Sequence, residues 1–239
     1  MSLNENHQKE TIDTIILSDI HLGSEVSRAG KAKEVLQKYV FKRLILLGDI
    51  FDDLNFHRLK KDHWSLLTYI RKLSNPKKQI DVIWVEGNHD AGLSKIMSHM
   101  MGLKVYKQFI FEIGGQIVLV IHGHQFDRFL NENLFISNIA GYIYNLIQRF
   151  GGEKQRFARF LKKMSKGWLR LTEKIAIGAL KYAHRRKTNI VICGHTHVAT
   201  KEPITANNIK YYNTGCFTDI PSNYIIISEK GEIINKDIE

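Results

Sequence analysis

Residues 43–52 read Arg-Leu-Ile-Leu-Leu-Gly-Asp-Ile-Phe-Asp, an apolar run that ends in a glycine and is followed by carboxylates. A short apolar run bounded by a turn signal predicts a strand that is buried on both faces. Four other apolar runs also end just before a polar motif. The five runs are Thr11–Leu17, Arg43–Leu47, Ile80–Val85, Ile117–Ile121 and Asn189–Cys193. Functional groups of layered α/β proteins gather at the carboxyl ends of strands, so this pattern predicts such a fold with a polar site at one edge.

The segments between these runs predict helices and further strands. Apolar spacing suited to covering a sheet predicts helices at Ala29–Tyr39, Lys61–Leu73 and Leu93–Met101. Gly114-Gly115 is a hairpin signal between two apolar runs. Tyr211–Gly215 and Tyr224–Ser228 are interpreted as closing strands. We therefore expect an α/β protein with a layered β-sandwich flanked by helices, built as one domain over residues 1–239.

Length and composition favour a globular enzyme. The chain has 239 residues, 44% of them hydrophobic, with three prolines, which excludes disordered and collagen-like classes. The two cysteines, Cys193 and Cys216, form no disulfide framework and are interpreted as packing residues in a reducing compartment. No apolar run approaches the roughly 18 residues of a spanning helix, and the polar start lacks a signal peptide core. We expect a soluble, cytoplasmic protein.

The formal net charge of +11 is concentrated in one segment. Fourteen Lys and Arg residues and three acidic residues lie between Arg128 and Lys187, so this segment carries the whole positive excess. Apolar residues recur there at three- and four-residue steps, which predicts a helical cap inserted at about residues 128–187. Its basic faces favour a polyanionic partner surface, either lipid headgroups or nucleic acid. An ordinary solvated face on a packed cap is the alternative.

Each predicted strand is followed by side chains that bind metals. The motifs are Asp19-Ile20-His21, Gly48-Asp49-Ile50-Phe51-Asp52, Gly87-Asn88-His89-Asp90, His122-Gly123-His124 and Gly194-His195-Thr196-His197. Carboxylates, amides and imidazoles in these numbers suit two adjacent divalent ions. Paired ions about 3.5–4 Å apart are widely used to hydrolyse phosphate esters. The sequence therefore predicts a two-metal hydrolase.

In the order and spacing of these motifs the chain resembles the calcineurin-like metallophosphoesterases, over about Asp19 to Gly215. The resemblance implies that one ion is held by three of the motif residues, the other by three more, and that Asp49 bridges them. The implied ligands are Asp19, His21 and His197 for one ion, and Asn88, His122 and His195 for the other. Two divalent ions, two aspartates and a bridging hydroxide leave about one net positive charge to attract a phosphate oxygen.

Within the family, the motifs look most like the branch around UDP-2,3-diacylglucosamine pyrophosphatase. Well-characterised members of that branch tend to carry Arg where this chain has His89, and Asp where it has His124. We expect His89 to be catalytic, by protonating the leaving oxygen or stabilising its charge, with Asp90 fixing its tautomer. An alternative is that His89 only orients Asn88. Asp52 and Asp127 are interpreted as outer or loop-fixing carboxylates.

The resemblance implies a phosphorylated substrate and two divalent ions of the Mn²⁺ type, with Fe and Zn as alternatives. A nucleotide-linked lipid is the first hypothesis, with the cap resting on the inner face of the membrane and His124, Arg156 and Arg159 contacting substrate. The second hypothesis is a phosphodiesterase or nuclease that acts on nucleotides or nucleic acid. The third is a non-catalytic binding scaffold, which the complete ligand set disfavours. The sequence leaves the oligomeric state open.

Overall fold

The computed structural model of the protein describes residues 9–53, 55–92, 96, 98–99, 102–127 and 171–239. Most of the predicted helix Leu93–Met101 and most of the predicted cap, including Arg156 and Arg159, lie outside the described residues. The described strands are β1 (Glu10–Thr11), β2 (Thr14–Leu17), β3 (Tyr39–Val40), β4 (Arg43–Leu47), β5 (Asp81–Val85), β6 (Lys104–Tyr106), β7 (Phe109–Ile113), β8 (Gln116–Val120), β9 (Ile190–Cys193), β10 (Ile204–Ala206), β11 (Ile209–Asn213), β12 (Ser222–Ile227) and β13 (Ile233–Ile238). The longer helices are α1 (Ala29–Lys38), α2 (Lys61–Leu73) and α3 (residues 171–185).

Six strands form a first sheet in the order β13-β12-β2-β4-β5-β6. Its central strands β2, β4 and β5 are parallel, whereas β12 and β13 pair antiparallel at one side. Ile16 lies beside Ile45, and Ile45 lies beside Ile83. Because these branched side chains share one face, they form a continuous apolar surface across the sheet.

Five strands form a second sheet in the order β10-β11-β9-β8-β7. Its strands β8, β9 and β11 are parallel. Strands β7 and β8 form the predicted antiparallel hairpin, and both turn glycines, Gly114 and Gly115, have positive φ. A side chain at Gly114 would lie 2.3 Å from the Lys230 carbonyl oxygen, so this turn needs a glycine for space as well as conformation.

The two sheets pack face to face and are covered by helices on their outer sides. Between them lie buried aliphatic residues such as Leu47 and Val85 from the first sheet and Val120 and Ile192 from the second. Helices α1 and α2 cover the outer face of the first sheet through residues such as Leu36 and Leu66. The result is a four-layered α/β/β/α sandwich, which confirms the predicted fold class.

Helix α3 covers the outer face of the second sheet. Its residues Ala176, Ala179 and Ala183 pack in one cluster with Leu119 and Val191. The sequence predicts this stretch as part of the inserted cap, whereas in the structure its apolar face is buried against the sheet. An amphipathic helix has the same spacing whether it covers a sheet or a ligand, so periodicity alone could not distinguish the two placements.

Boundaries differ from the predictions mainly at the closing strands. Strand β11 ends at Asn213 rather than Gly215, and β12 begins at Ser222. The chain leaves the sheet after Asn213, where the Thr214 amide still donates to the Cys193 carbonyl oxygen, and Gly215 takes a positive φ. Among the described residues no helix is both long and apolar enough to cross a membrane.

Candidate metal centre

The predicted ligands lie on loops that meet at the carboxyl ends of parallel strands in both sheets. Backbone hydrogen bonds join the loops of the first sheet: the Asp19 amide donates to the Gly48 carbonyl oxygen at 3.1 Å, and the His21 amide to that of Asp49 at 3.0 Å. In the second sheet the Gly194 amide donates to the His122 carbonyl oxygen at 3.0 Å. These bonds fix the relative positions of loops that are far apart in sequence.

Several of these loop residues have an unusual backbone conformation. Five predicted ligands, all non-glycine, have φ between 49° and 68°. They are Asp19, His21, Asp49, His195 and His197. Side chains rarely adopt this left-handed region, and such conformations concentrate at functional sites, where the surrounding structure must enforce them. Five of the seven predicted ligands therefore lie at strained backbone positions, although four other non-glycine residues of the described chain, Gln79, Lys187, Asn207 and Asn208, also have positive φ.

Two motif glycines are required because the backbone passes close to a carboxylate. A Cβ atom at Gly87 would lie 2.3 Å from both the amide nitrogen and Oδ1 of Asp49. At Gly194 it would lie 2.5 Å from Oδ2 of Asp19. Each glycine thus gives a carboxylate room to approach a neighbouring loop, which explains its place before Asn88 and His195.

The described ligand atoms form two adjoining clusters. One contains Asp19, His21 and His197, the other contains Asp49, His122 and His195, and the ligand atoms within each cluster lie within 4.8 Å of one another. His122 Nε2 lies 3.4 Å from Asp19 Oδ1 and 3.6 Å from Asp49 Oδ2, so the two clusters share a boundary. The structure therefore brings together six of the seven predicted ligands.

The seventh predicted ligand, Asn88, lies on the exposed turn after β5. The next residue donates its amide proton to Asp49 Oδ1, with His89 N at 2.9 Å. This contact places the turn beside the second cluster. Coordination of a cation by the Asn88 amide stays a prediction.

Two buried nitrogen atoms indicate that the clusters suit metal ions. His21 Nε2 and His195 Nε2 are buried without a hydrogen-bond partner among the described residues. The Asp127 Oδ2 atom lies 3.7 Å from His195 Nε2, beyond hydrogen-bond distance. Burying an unpaired polar atom costs free energy, and a bound cation would remove that cost.

The electrostatics of the clusters favour positive charge between the carboxylates. Burial raises the pKa of Asp19, but hydrogen bonds from His122 and His197 outweigh burial and hold that pKa well below its usual value. Burial lowers the pKa of His122, yet the charge of Asp49 and the contact with Asp19 raise it to about 9. Protonated imidazoles thus neutralise the buried carboxylates, a role that divalent cations can take over.

His89 is oriented by a backbone carbonyl group rather than by Asp90. Its Nδ1 lies 2.6 Å from the Asp52 carbonyl oxygen and is assigned as the donor in this contact. The Asp90 carboxylate instead accepts protons from the amides of Ile50 and Phe51, at 3.3 and 3.1 Å, and from Trp84 Nε1 at 3.3 Å. The predicted tautomer-fixing role of Asp90 is therefore wrong. Its carboxylate holds the loop that carries Asp49, because the bonded amides directly follow that residue.

His124 contacts a predicted ligand. Its Nδ1 lies 3.1 Å from His122 Nδ1, so one ring must donate and the other accept. Burial, followed by the charges of His122 and His195, lowers the pKa of His124 to about 4, which makes it the neutral acceptor. His122 Nδ1 then carries a proton and His122 Nε2 faces the carboxylates. A contact between His124 and substrate stays a prediction.

Arg58 was not identified from the sequence. It lies between β4 and α2 and contacts Asp52, which in turn contacts the predicted ligand His21. Asp52 Oδ1 lies 3.4 Å from His21 Nδ1, and Arg58 Nη1 lies 2.9 Å from Asp52 Oδ2. Arg58 also pairs with Asp53. The expectation that Asp52 is an outer carboxylate agrees with this geometry. Arg58 belongs to no motif or periodic pattern, so the sequence carried no signal for it.

The chain is similar to one family of known proteins and to several solved structures. The model of the calcineurin-like phosphoesterase superfamily domain matches residues 12–228. A solved hypothetical protein from Pyrococcus horikoshii aligns with a TM-score of 0.52 at 11% identity, covering 96% of this chain and 88% of that one. No curated protein matches the chain.

Two further solved structures align less well. A novel archaeal phosphodiesterase has a TM-score of 0.48 at 15% identity, with 94% of this chain and 99% of that one covered. A single mutant of Vps29 from Entamoeba histolytica has a TM-score of 0.47 at 14% identity, with 95% and 99% covered. At these identities the likeness to solved structures concerns the fold alone.

Proposed function

Because the chain belongs to the calcineurin-like phosphoesterase superfamily, we propose that it is a metal-dependent hydrolase of phosphodiester or pyrophosphate bonds. The observation that carries this proposal is the pair of adjoining clusters, each of which combines carboxylate with imidazole groups. Two divalent cations would supply an activated hydroxide and positive charge to stabilise the phosphoryl transition state. One cation would be held by Asp19, His21 and His197, the other by Asn88, His122 and His195, with Asp49 between them.

The residues around the clusters have distinct tasks in this proposal. Asp49 is held in place by the His89 amide at 2.9 Å, so the shared ligand is fixed before substrate binds. The His89 side chain keeps its Nδ1 on the Asp52 carbonyl oxygen at 2.6 Å, which leaves Nε2 to donate a proton to the leaving oxygen. A protein nucleophile is not required, because the attacking group comes from water.

We propose Mn²⁺ as the working cation. Hard carboxylate oxygens and borderline imidazole nitrogens suit Mn²⁺, and they also suit Fe²⁺ and Zn²⁺. Elemental analysis of purified protein, followed by reconstitution of the apoprotein with each metal in turn, identifies the cation that restores turnover. Two ions per chain are expected at saturation, and at most one would contradict the two-metal proposal.

For the substrate we propose a nucleotide-linked lipid such as UDP-2,3-diacylglucosamine. The support is the segment between Arg128 and Lys187, which carries the entire excess of positive charge and, in the part before α3, many aromatic and aliphatic residues. Cationic amphipathic segments bind the interface of anionic membranes, where a lipid-linked substrate would reside. In this proposal the protein acts at the inner face of a membrane as a peripheral enzyme.

The second hypothesis keeps the same chemistry but assigns the basic segment to the phosphate backbone of nucleic acid. Both hypotheses use the same charges, whereas only the lipid hypothesis uses the apolar residues for acyl chains. A parallel assay of the Mn²⁺ form against UDP-2,3-diacylglucosamine, a UDP-sugar and single-stranded DNA separates them. Hydrolysis of the acylated compound alone supports the lipid proposal. Hydrolysis of DNA alone supports the nuclease, and no hydrolysis of any phosphoester supports a binding scaffold.

Membrane binding is tested separately from hydrolysis. Replacement of Arg156, Arg159, Lys162 and Lys163 by Gln should weaken binding to vesicles that contain anionic lipid, and salt should weaken binding of the unaltered protein. Hydrolysis of a small soluble phosphodiester should persist, because the described clusters contain none of these residues. The matched control replaces Arg71, Lys72, Lys77 and Lys78, which are exposed near the end of α2. Equal loss of vesicle binding in both variants would indicate a general charge effect.

A further inference from the structure

The loop after β11 carries a second set of polar side chains beside the first cluster. His197, Cys216 and Asp219 have potential ligand atoms within 4.8 Å of one another. The Phe217 amide donates to the Asp19 carbonyl oxygen at 3.0 Å, which ties this loop to a predicted metal ligand. Neither Cys216 nor Thr218 has a role in the proposed function. The sequence had suggested only that Cys216 is a packing residue.

The two ring nitrogens of His197 face different partners. Nε2 lies 3.3 Å from Asp19 Oδ1, on the side of the first cluster. Nδ1 lies 3.4 Å from the Thr218 hydroxyl oxygen. That hydroxyl lies 3.2 Å from Cys216 Sγ and donates its proton to the sulfur. A chain of polar contacts therefore runs from the buried thiol through Thr218 to the imidazole, and the thiol also contacts His197 directly.

A histidine that binds a cation through Nε2 must carry its remaining proton on Nδ1. Metal-bound histidines almost always donate this second N–H group to a neighbouring acceptor, which fixes the tautomer and the ring orientation. The Thr218 hydroxyl can accept from His197 Nδ1 because its own proton is directed to Cys216 Sγ. Without such an acceptor, the ring could rotate or present a protonated Nε2 to the cation.

We propose that Thr218, oriented by the thiol of Cys216, is a positioning residue that fixes His197 for cation binding in the first cluster. This inference rests on the proposed function, because it concerns one ligand of the proposed metal centre. The role proposed for Thr218 differs from those of Asp52, which contacts His21, and of His124, which contacts His122. It predicts that loss of the Thr218 hydroxyl weakens the binding of one of the two cations selectively, because His197 belongs to the first of the two clusters of the proposed centre and not to the second.

The test compares Thr218→Val with Thr218→Ser in Mn²⁺ titrations of the apoprotein. Valine removes the hydroxyl at nearly equal volume, and we expect one of the two sites to weaken by about 10–100-fold, the usual effect of losing an outer hydrogen bond to a metal-bound histidine. Serine keeps the hydroxyl and should retain both affinities. Circular dichroism on each variant checks that the fold is intact.

The outcomes separate this inference from the proposed function. Two unchanged affinities in Thr218→Val, or equal weakening in the valine and serine variants, would overturn the role of Thr218 while leaving the metal centre in place. An unaltered protein that binds no divalent cation would overturn the proposed function itself, and the inference with it.

The role of the thiol is tested with Co²⁺. If Cys216 acts only as an outer residue, through Thr218 and its own contact with His197, Co²⁺-loaded protein lacks the intense near-ultraviolet charge-transfer band of a thiolate ligand, and Cys216→Ser retains both affinities because its hydroxyl also accepts a hydrogen bond. A thiolate band that disappears in Cys216→Ser would show direct coordination by sulfur, which would overturn the outer role proposed here.

Discussion

The ring of His89 lies beside the predicted ligand His21 but belongs to neither of the two clusters. Its centroid is 5.0 Å from that of His21, and its Nδ1 is engaged by the Asp52 carbonyl oxygen. Burial lowers the pKa of His89, but the charges of Asp49, Asp52 and Asp90 and the bond to Asp52 raise it above its ordinary value. A histidine with a raised pKa is protonated at neutral pH more often and can serve as a general acid.

Replacement of His89 by Ala should lower kcat by about 10²–10⁴ while both cations stay bound, because general acid catalysis typically contributes that much. The loss should be smaller for a nitrophenyl ester than for an alkyl ester, since a good leaving group needs little protonation. Steady-state kinetics and metal analysis of the same preparation measure both effects. His57→Ala, which removes an exposed histidine from the neighbouring turn, is the control. Equal losses for both esters would favour an orienting role for His89.

A second prediction concerns Gly87, whose replacement by Ala should expel Asp49 from its position. The added Cβ would lie 2.3 Å from two atoms of that aspartate, which is too close for any real contact. Because Asp49 is the proposed shared ligand, the affinity for both cations should fall by at least about tenfold. Metal content after gel filtration measures the loss.

The matched control for Gly87→Ala is Gly30→Ala in α1. No heavy atom lies within 4 Å of a Cβ at Gly30, and alanine stabilises a helix relative to glycine by roughly 0.5–1 kcal/mol. This variant should keep both cations and unfold at slightly higher temperature. Full metal occupancy in Gly87→Ala would refute the steric argument.

The grouping of six predicted ligands at one edge was predictable from sequence, but the contacts around them were not. Asp19 and His195 follow apolar strands, so their position at the sheet edge follows from strand pairing alone. Arg58 and Thr218 reach the centre because of loop conformations that depend on the assembled sheets. Asp90 shows the same limit: its place beside His89 in the chain suggested a contact, whereas its carboxylate turns to amides about 40 residues away in sequence.

The first turn of helix α2 contains a histidine, His63, that joins the helix to the loop of a predicted ligand. His63 is buried, and its Nδ1 accepts protons from the amides of Gly23 and Lys60, both at 3.2 Å. Gly23 lies two residues after His21, so this contact connects the helix start with the metal centre. Lys61–Leu73 was predicted correctly from its apolar spacing, but that spacing gives no information about a histidine on the buried side.

The His63 contact predicts a pH-dependent stability. Burial lowers the pKa of His63 below its ordinary value, with the Asp62 and Lys60 charges as smaller influences. In the unfolded chain the pKa is about 6.5. As pH falls below that value the unfolded state takes up the proton first, so the free energy of unfolding decreases until the folded-state pKa is passed. Above pH 6.5 both states are neutral at this residue and its contribution is fully present.

Denaturant unfolding of His63→Asn between pH 5 and pH 7 measures this contribution. Asparagine can place an oxygen near the position of Nδ1 and does not titrate, so the variant should lose less stability on acidification than the unaltered protein. His57→Asn, which changes an exposed histidine, should keep the original pH dependence. The same slope in all three proteins would mean that His63 is not the titrating group.

For helix α3 the sequence pattern predicts an amphipathic helix but not the surface that its apolar side covers. Lys174, Lys181 and Arg185 are exposed on its outer side, while its alanines pack on the second sheet. Charge on one side and small apolar residues on the other predicted an amphipathic helix. Which surface the apolar side covers depends on the neighbouring strands, because β8 and β9 present a complementary apolar face.

The two sheets of the sandwich contribute different ligands to one centre. Asp19, His21 and Asp49 follow strands of the first sheet, whereas the predicted ligands His122 and His195 follow strands of the second. Cations at this edge would therefore connect the two sheets, which also share an apolar core between their inner faces. The layered architecture was predictable because alternating strands and helices favour it, and the convergence of both sheets on one edge follows from the parallel strands within each.

This arrangement predicts that cation binding and global stability are coupled. The unfolded chain cannot hold the ligands together, so a cation at 100 times its Kd should stabilise the folded state by about 2.7 kcal/mol, or roughly 5–10 °C in Tm for a chain of this size. Thermal unfolding with saturating Mn²⁺ and with EDTA measures the difference. Asp49→Ala should abolish it, because that carboxylate is the proposed bridge between the two cations, whereas Glu112→Ala on the exposed side of β7 should preserve it. If chelation left Tm unchanged in the unaltered protein, the cations would not connect the sheets, since any ligand that binds only the folded state must raise its stability.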